Sequence, residues 1–92
     1  MEINLIKTER GGVFTPAGAE EGHAEMVYTL IGKQMVIEHT AVDSSLQGHG
    51  IGNRLVRAGV EYARENELKI IPACPFAKAM IEKTPEFQDV LR

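Results

Sequence analysis

Gln47-Gly48-His49-Gly50-Ile51-Gly52 stands between an extended run that ends at Val42 and a helical pattern that begins at Ile51. These six residues decide how the rest of the chain is read. Glycines here let the backbone turn tightly and approach a ligand closely. The first N–H groups of the following helix have no intrahelical acceptors. Those amides, with the positive end of the helix dipole behind them, form a cradle for an anion, and phosphate is the expected one.

Upstream of the loop, Gln34–Val42 places Met35, Ile37, His39 and Ala41 on one side and Val36, Glu38, Thr40 and Val42 on the other. Both sides are fairly apolar, which suits a strand inside a sheet. Gly32-Lys33 precedes it as a hairpin turn. Residues 23–31 alternate with Ala24, Met26, Tyr28 and Leu30 on one face, the period of a half-covered strand. Ile3–Lys7 and residues 12–15 read as short strands around a polar turn, and a glycine- and acid-rich loop runs on to Gly22.

Downstream, Ile51, Leu55, Val56, Gly59, Tyr62 and Ala63 recur at helical spacing, giving a helix of about four turns. Residues 68–71 are β-prone and follow that helix as the second strand of a crossover unit, placed beside the central strand. Pro72-Ala73-Cys74-Pro75 interrupts. Residues 76–83 then suit a second helix, since proline is tolerated in a first helical turn, and residues 86–92 read as a short tail.

Two familiar phosphate loops are excluded by spacing. A Walker loop carries lysine and then serine or threonine after its last glycine, whereas Asn53 and Arg54 follow Gly52. The dinucleotide fingerprint needs its third glycine where this chain has Asn53.

With 92 residues and 43% hydrophobic side chains, the chain is expected to form a single domain over residues 1–92. Ten basic and 13 acidic side chains give a net charge of −3, which argues against broad adhesion to nucleic acid or an anionic membrane. Any phosphate binding is therefore local. The one cysteine, Cys74, has no internal disulfide partner, so a reducing, cytoplasmic setting is expected. No apolar run reaches the roughly 20 residues that span a bilayer. The three histidines and the cysteine lack paired ligand spacing, so no metal site is expected.

The pattern Gln47-x-x-Gly50-x-Gly52, after Thr40-Ala41-Val42 and before a helix, resembles the acyl-CoA pyrophosphate loop of the GCN5-related N-acetyltransferase (GNAT) superfamily. The element order over residues 23–83 is similar to that superfamily's core. His39-Thr40 before the loop and Pro72-x-Cys74-Pro75-Phe76 after the last strand look like a small subgroup of about this length. The resemblance implies an α/β (α+β) fold, a truncated GNAT-like core with a mixed, mostly antiparallel sheet and two helices. It also implies acetyl-CoA as donor substrate. Gln47, Gly48, His49, Gly50, Ile51, Gly52 and Asn53 would surround the pyrophosphate, and Thr40 and Val42 would flank the pantetheine arm.

The chain departs from full-length members in lacking the helical pair that follows their first strand and walls the acceptor site. That leaves the acceptor side open, to be completed by a second subunit in a homodimer or by a protein substrate. Some relatives carry a strand glutamate as general base. Counted back from Gln47, that position falls near Ile37, with Glu38 one residue away and facing the other side.

Two side chains are candidates for catalysis. Cys74 precedes Pro75 at the start of a helix, where dipole and amides favour thiolate, so it can act as a nucleophile toward the thioester or as an acid to the leaving CoA sulfur. Its plainer reading is a small buried apolar residue. His39, on an otherwise apolar strand face, can take a proton from an ammonium acceptor or from Cys74. A hydrogen-bonded structural histidine is its plainer reading. Arg54, Arg57 and Arg64 alternate with Glu61 and Glu65 as on a solvated face, with Arg54 a candidate to reach a CoA phosphate.

The function expected is transfer of an acetyl group from acetyl-CoA to an amine, either a small molecule or a protein lysine. The rival reading is a non-catalytic CoA-binding or protein-interaction module.

Overall fold

The core hairpin forms at Gly32, whose φ of 60° supplies the left-handed turn that joins β3 (Ala24–Ile31) to β4 (Gln34–Val42). A second hairpin joins β1 (Ile3–Lys7) to β2 (Gly11–Pro16). After β4 come α1 (Ile51–Glu65), β5 (Lys69–Pro72), α2 (Pro75–Glu82) and a 3-10 helix, Pro85–Val90. This is a computed structural model describing residues 2–17, 24–43 and 50–92. The sheet order is β1-β2-β3-β4-β5. Its first four strands pair antiparallel and β5 pairs parallel to β4, so the sheet is mixed and mostly antiparallel. No described helix is long and apolar enough to cross a membrane.

The helical period of α1 turns Ile51, Leu55, Val56, Gly59, Val60 and Ala63 onto the sheet. They meet Phe14, Met26, Tyr28, Met35, Ile37 and Ile70 in one buried cluster. Each fully buried aliphatic or aromatic side chain contributes about 1.5–3 kcal/mol. At the far end of α1, the Tyr62 ring lies 5.9 Å from Phe14 and 5.6 Å from Tyr28, spacings typical of attractive aromatic pairs.

β4 does not alternate strictly along its length. Tyr28 is opposite Ile37 and Val27 is opposite His39, which leaves Glu38 without a register partner on β3. This β-bulge reverses the alternation beyond it. Opposed residues share a face, so Thr40, opposite the fully buried Met26, lies on the same side as Met35 and Ile37. His39 and Ala41, expected on that side, instead face away from the helices. An extra residue in one strand leaves no period in the sequence that would reveal it.

Residues 86–92, read as a tail, are structural. A 3-10 helix has three residues per turn, so Phe87 and Val90 fall on one side, and both are buried. Leu91 then bridges Ile70 in parallel, and the Arg92 amide donates to the Ile70 carbonyl at 3.0 Å. The outer edge of β5 is thereby covered. Arg57 and Arg64 are exposed, as expected of a solvated face, and also hold this segment. Arg64 donates to both oxygens of Asp89, at 2.8 and 2.7 Å, and to the Glu86 carbonyl, while Arg57 lies 5.2 Å above the Phe87 ring and 3.3 Å from Glu86.

The hydrogen bonds from Arg64 hold the Asp89 carboxyl below its ordinary range, against a smaller opposing effect of desolvation. A depressed folded-state pKa stabilises above the unfolded value and loses that contribution as pH falls through the folded value. Asp89→Asn is therefore expected to lower the melting temperature slightly at pH 7 and to leave it unchanged near pH 2, as thermal denaturation at both values would show.

Candidate active site

Beyond Ile37 the two parallel strands part. The ladder between β4 and β5 ends at Ile37 opposite Pro72, and the amides of Ala73 and Cys74 both donate to the Ile37 carbonyl, at 3.1 and 3.0 Å. That double bond turns the chain out of the sheet and into α2. Residues 38–42 of β4 run on without β5 beside them.

Cys74 occupies the N-cap of α2 in extended conformation (φ −83°, ψ 125°), followed by Pro75 in the first turn. Its side chain is 5% exposed, and the thiol donates to Thr40 Oγ1 at 3.5 Å. Burial pushes the thiol up, yet the Ala77 amide, the Thr40 hydroxyl and the amides of Phe76 and Thr40 together outweigh it and lower it below its ordinary range. The physical cause is that amides of a helix's first turn have no intrahelical acceptor and point at the sulfur. The bulge at Glu38 is what makes the contact possible, because it turns Thr40 toward the helices.

Gly50 is the N-cap of α1 in the left-handed region (φ 71°, ψ 19°), and an added Cβ would meet nothing within 4 Å. Arg54 N to Gly50 O, at 3.1 Å, opens the helical hydrogen-bond series. The amides of Ile51, Gly52 and Asn53 precede it and have no intrahelical acceptor. A Cβ on Gly52 would lie 2.6 Å from Phe76 Cζ, so the first turns of α1 and α2 abut. Two helix N-termini thus converge where β4 and β5 separate, an arrangement suited to anionic groups.

Of the residues singled out from the sequence, Gln47, Gly48 and His49 lie outside the described residues. Gly50, Ile51, Gly52 and Asn53 form the first turn of α1, with the Ile51 side chain buried. Thr40 and Val42 lie on the helix side of β4, opposite Met26 and Ala24. The structure does not bring His39 to Cys74. His39 lies on the other face, exposed, with Nε2 3.0 Å from Glu25 Oε2. Among the described residues no group of three His, Cys, Asp or Glu side chains could hold a metal ion.

Two features escaped the sequence reading. The sequence places Thr40 only beside the pantetheine arm, and its contact with Cys74 depends on the bulge. Phe76 against Gly52 had a faint signal, since a glycine in the first turn of a helix leaves room for a close neighbour.

Comparison with known proteins agrees with this fold. Residues 14–90 match the family model described as GCN5-related N-acetyl-transferase. The chain belongs to that family of acetyltransferases. The protein NATD1 of Gallus gallus and that of Mus musculus are each 29% identical to it over 63 residues, covering 67% of this chain and 57% of theirs. The match thus spans little more than half the length of those relatives. A GCN5-like protein of Staphylococcus aureus, solved by NMR in solution and provisionally named an N-acetyltransferase, superposes with a TM-score of 0.76. It is 40% identical, over 97% of this chain and 87% of its own.

Proposed function

We propose that this protein transfers an acetyl group from acetyl-CoA to an amine, with Cys74 as the group that meets the thioester. The observation that carries the reading is the fork between β4 and β5, with the first turns of both helices and the Cys74 thiol at its mouth. The amides of Ile51, Gly52 and Asn53, with those of Gln47, Gly48, His49 and Gly50, bind the diphosphate. The pantetheine arm lies along Thr40 and Val42. In the covalent route the Cys74 thiolate attacks the acetyl carbonyl and the bond to the CoA sulfur breaks, that sulfur leaving as thiolate. The neutral amine then attacks the S-acetyl carbonyl, the bond to the Cys74 sulfur breaks, and the proton shed by the nitrogen passes to that sulfur or to water, leaving the amide and free Cys74. In the direct route the neutral amine attacks acetyl-CoA, Cys74 gives its proton to the leaving CoA sulfur, and the proton shed by the new amide nitrogen restores the Cys74 thiol.

A second reading, CoA binding without turnover, is favoured by β1 running directly into β2, with no helical pair between them. Sustained CoA release with any of a panel of polyamines, amino acids and lysine peptides supports the enzyme. Binding with no release supports the module.

Titration calorimetry tests the shared step. Acetyl-CoA is expected to bind the wild type and to bind Gly50→Val at least about tenfold more weakly. A β-branched residue cannot hold the left-handed conformation without a cost of about 1–2 kcal/mol, and relaxing it re-aims the first amides of α1. Gly50→Asn, which tolerates that conformation, is expected to retain most of the affinity. Folded wild type with no detectable binding at millimolar acetyl-CoA would defeat the reading.

A further inference from the structure

A cavity of about 320 Å³ lies between α1 and α2, lined on one side by Arg54 and Arg57, on the other by Met80 and Lys83, with Phe87 at its base. That volume is at the lower end of the range for small-ligand sites. Its charged side chains are all cationic, beside the neutral Asn53 and Thr84, in a chain whose net charge is −3. Arg57 is already occupied by Glu86 and by the Phe87 ring. Among the described residues, neither Arg54 nor Lys83 takes part in an ion pair. The groove therefore offers two uncompensated cations beside Met80, with the Phe87 ring covered by Arg57 at its base. A nucleoside carrying a phosphate matches both features, the phosphate between Arg54 and Lys83 and the base against Met80.

Position narrows the ligand further. Arg54 follows Asn53 directly in α1, and a helix rises about 1.5 Å per residue, so the groove begins roughly one turn from the amides of Ile51 and Gly52. A diphosphate on those amides would carry its attached nucleoside into the groove. We propose that Arg54 and Lys83 form a site for the 3′-phosphate of coenzyme A, with its adenine against Met80. The assignment rests on the acyl-CoA reading above. It adds a discrimination that the diphosphate cradle alone does not make, because dephospho-CoA has the same diphosphate and pantetheine and lacks only the 3′-phosphate.

Calorimetry with CoA and dephospho-CoA, on wild type and on Arg54→Ala, Lys83→Ala and the double variant, tests it at low and high salt. Wild type is expected to bind CoA about tenfold or more tightly than dephospho-CoA, with the preference shrinking as salt rises. Each single variant is expected to lose CoA affinity about threefold to tenfold while its dephospho-CoA affinity stays nearly constant. In the double variant the two ligands converge. Both positions are at the surface of helices, so circular dichroism should show unchanged folding. Equal wild-type affinity for the two ligands, or losses that are the same for both, overturns the 3′-phosphate site and leaves the acyl-CoA reading standing. Failure of both ligands to bind folded wild type overturns the two together.

Discussion

Cys74→Ala is expected to remove the acetyl adduct that forms on incubation with acetyl-CoA, and to cut turnover by at least about 100-fold, the lower end of what a positioned acid–base or nucleophilic group supplies. Intact mass reports the first outcome and CoA release the second. The substitution removes one sulfur atom from a nearly buried site, so folding should survive it. The same thiol makes a pH-dependent claim. Its lowered pKa means that alkylation by iodoacetamide should reach half its maximal rate below the ordinary thiol range. Thr40→Val removes a hydroxyl that favours the thiolate, so its profile should move to higher pH, while Thr40→Ser should stay near wild type. A wild type that turns over without ever carrying the adduct excludes the covalent route and leaves Cys74 as acid. Full turnover by Cys74→Ala excludes both roles.

Much of this fold was legible because its devices are local and periodic. Gly32 announced the β3–β4 hairpin, and the i, i+3, i+4 spacing of Ile51, Leu55, Val56 and Gly59 announced both α1 and the face it buries. Pro75 marked the start of α2 because a proline's missing amide costs nothing there. What escaped was non-local or aperiodic. The bulge at Glu38 inserts one residue and reverses the facing of everything after it, so a strand assigned correctly still put His39 on the wrong side. Its consequence for the site is large, since it replaces an imagined His39–Cys74 pair with the Thr40–Cys74 contact. Arg57 and Arg64 were read against their helical neighbours Glu61 and Glu65, whereas their partners are Glu86 and Asp89, far along the chain.

Phe87→Ala carries the largest expected effect on stability, about 3–5 kcal/mol, the range for truncating a buried aromatic side chain. The total stability of a domain this size is about 5–15 kcal/mol. A loss of that order should lower the melting temperature by roughly 12–40 °C, at about 4–8 °C per kcal/mol. Phe87 is 3% exposed and its ring lies beneath the Arg57 guanidinium, so truncation opens a void that exposed charges cannot close. Phe87→Leu keeps most of the buried volume and should cost less than about 1.5 kcal/mol. Were residues 85–92 a solvated tail, both substitutions would fall within about 0.5 kcal/mol of wild type. Urea denaturation of the two variants therefore decides whether the 3-10 helix belongs to the cooperative core. If it does, the groove between α1 and α2 has a floor as rigid as the sheet, which is what a site that discriminates by a single phosphate requires.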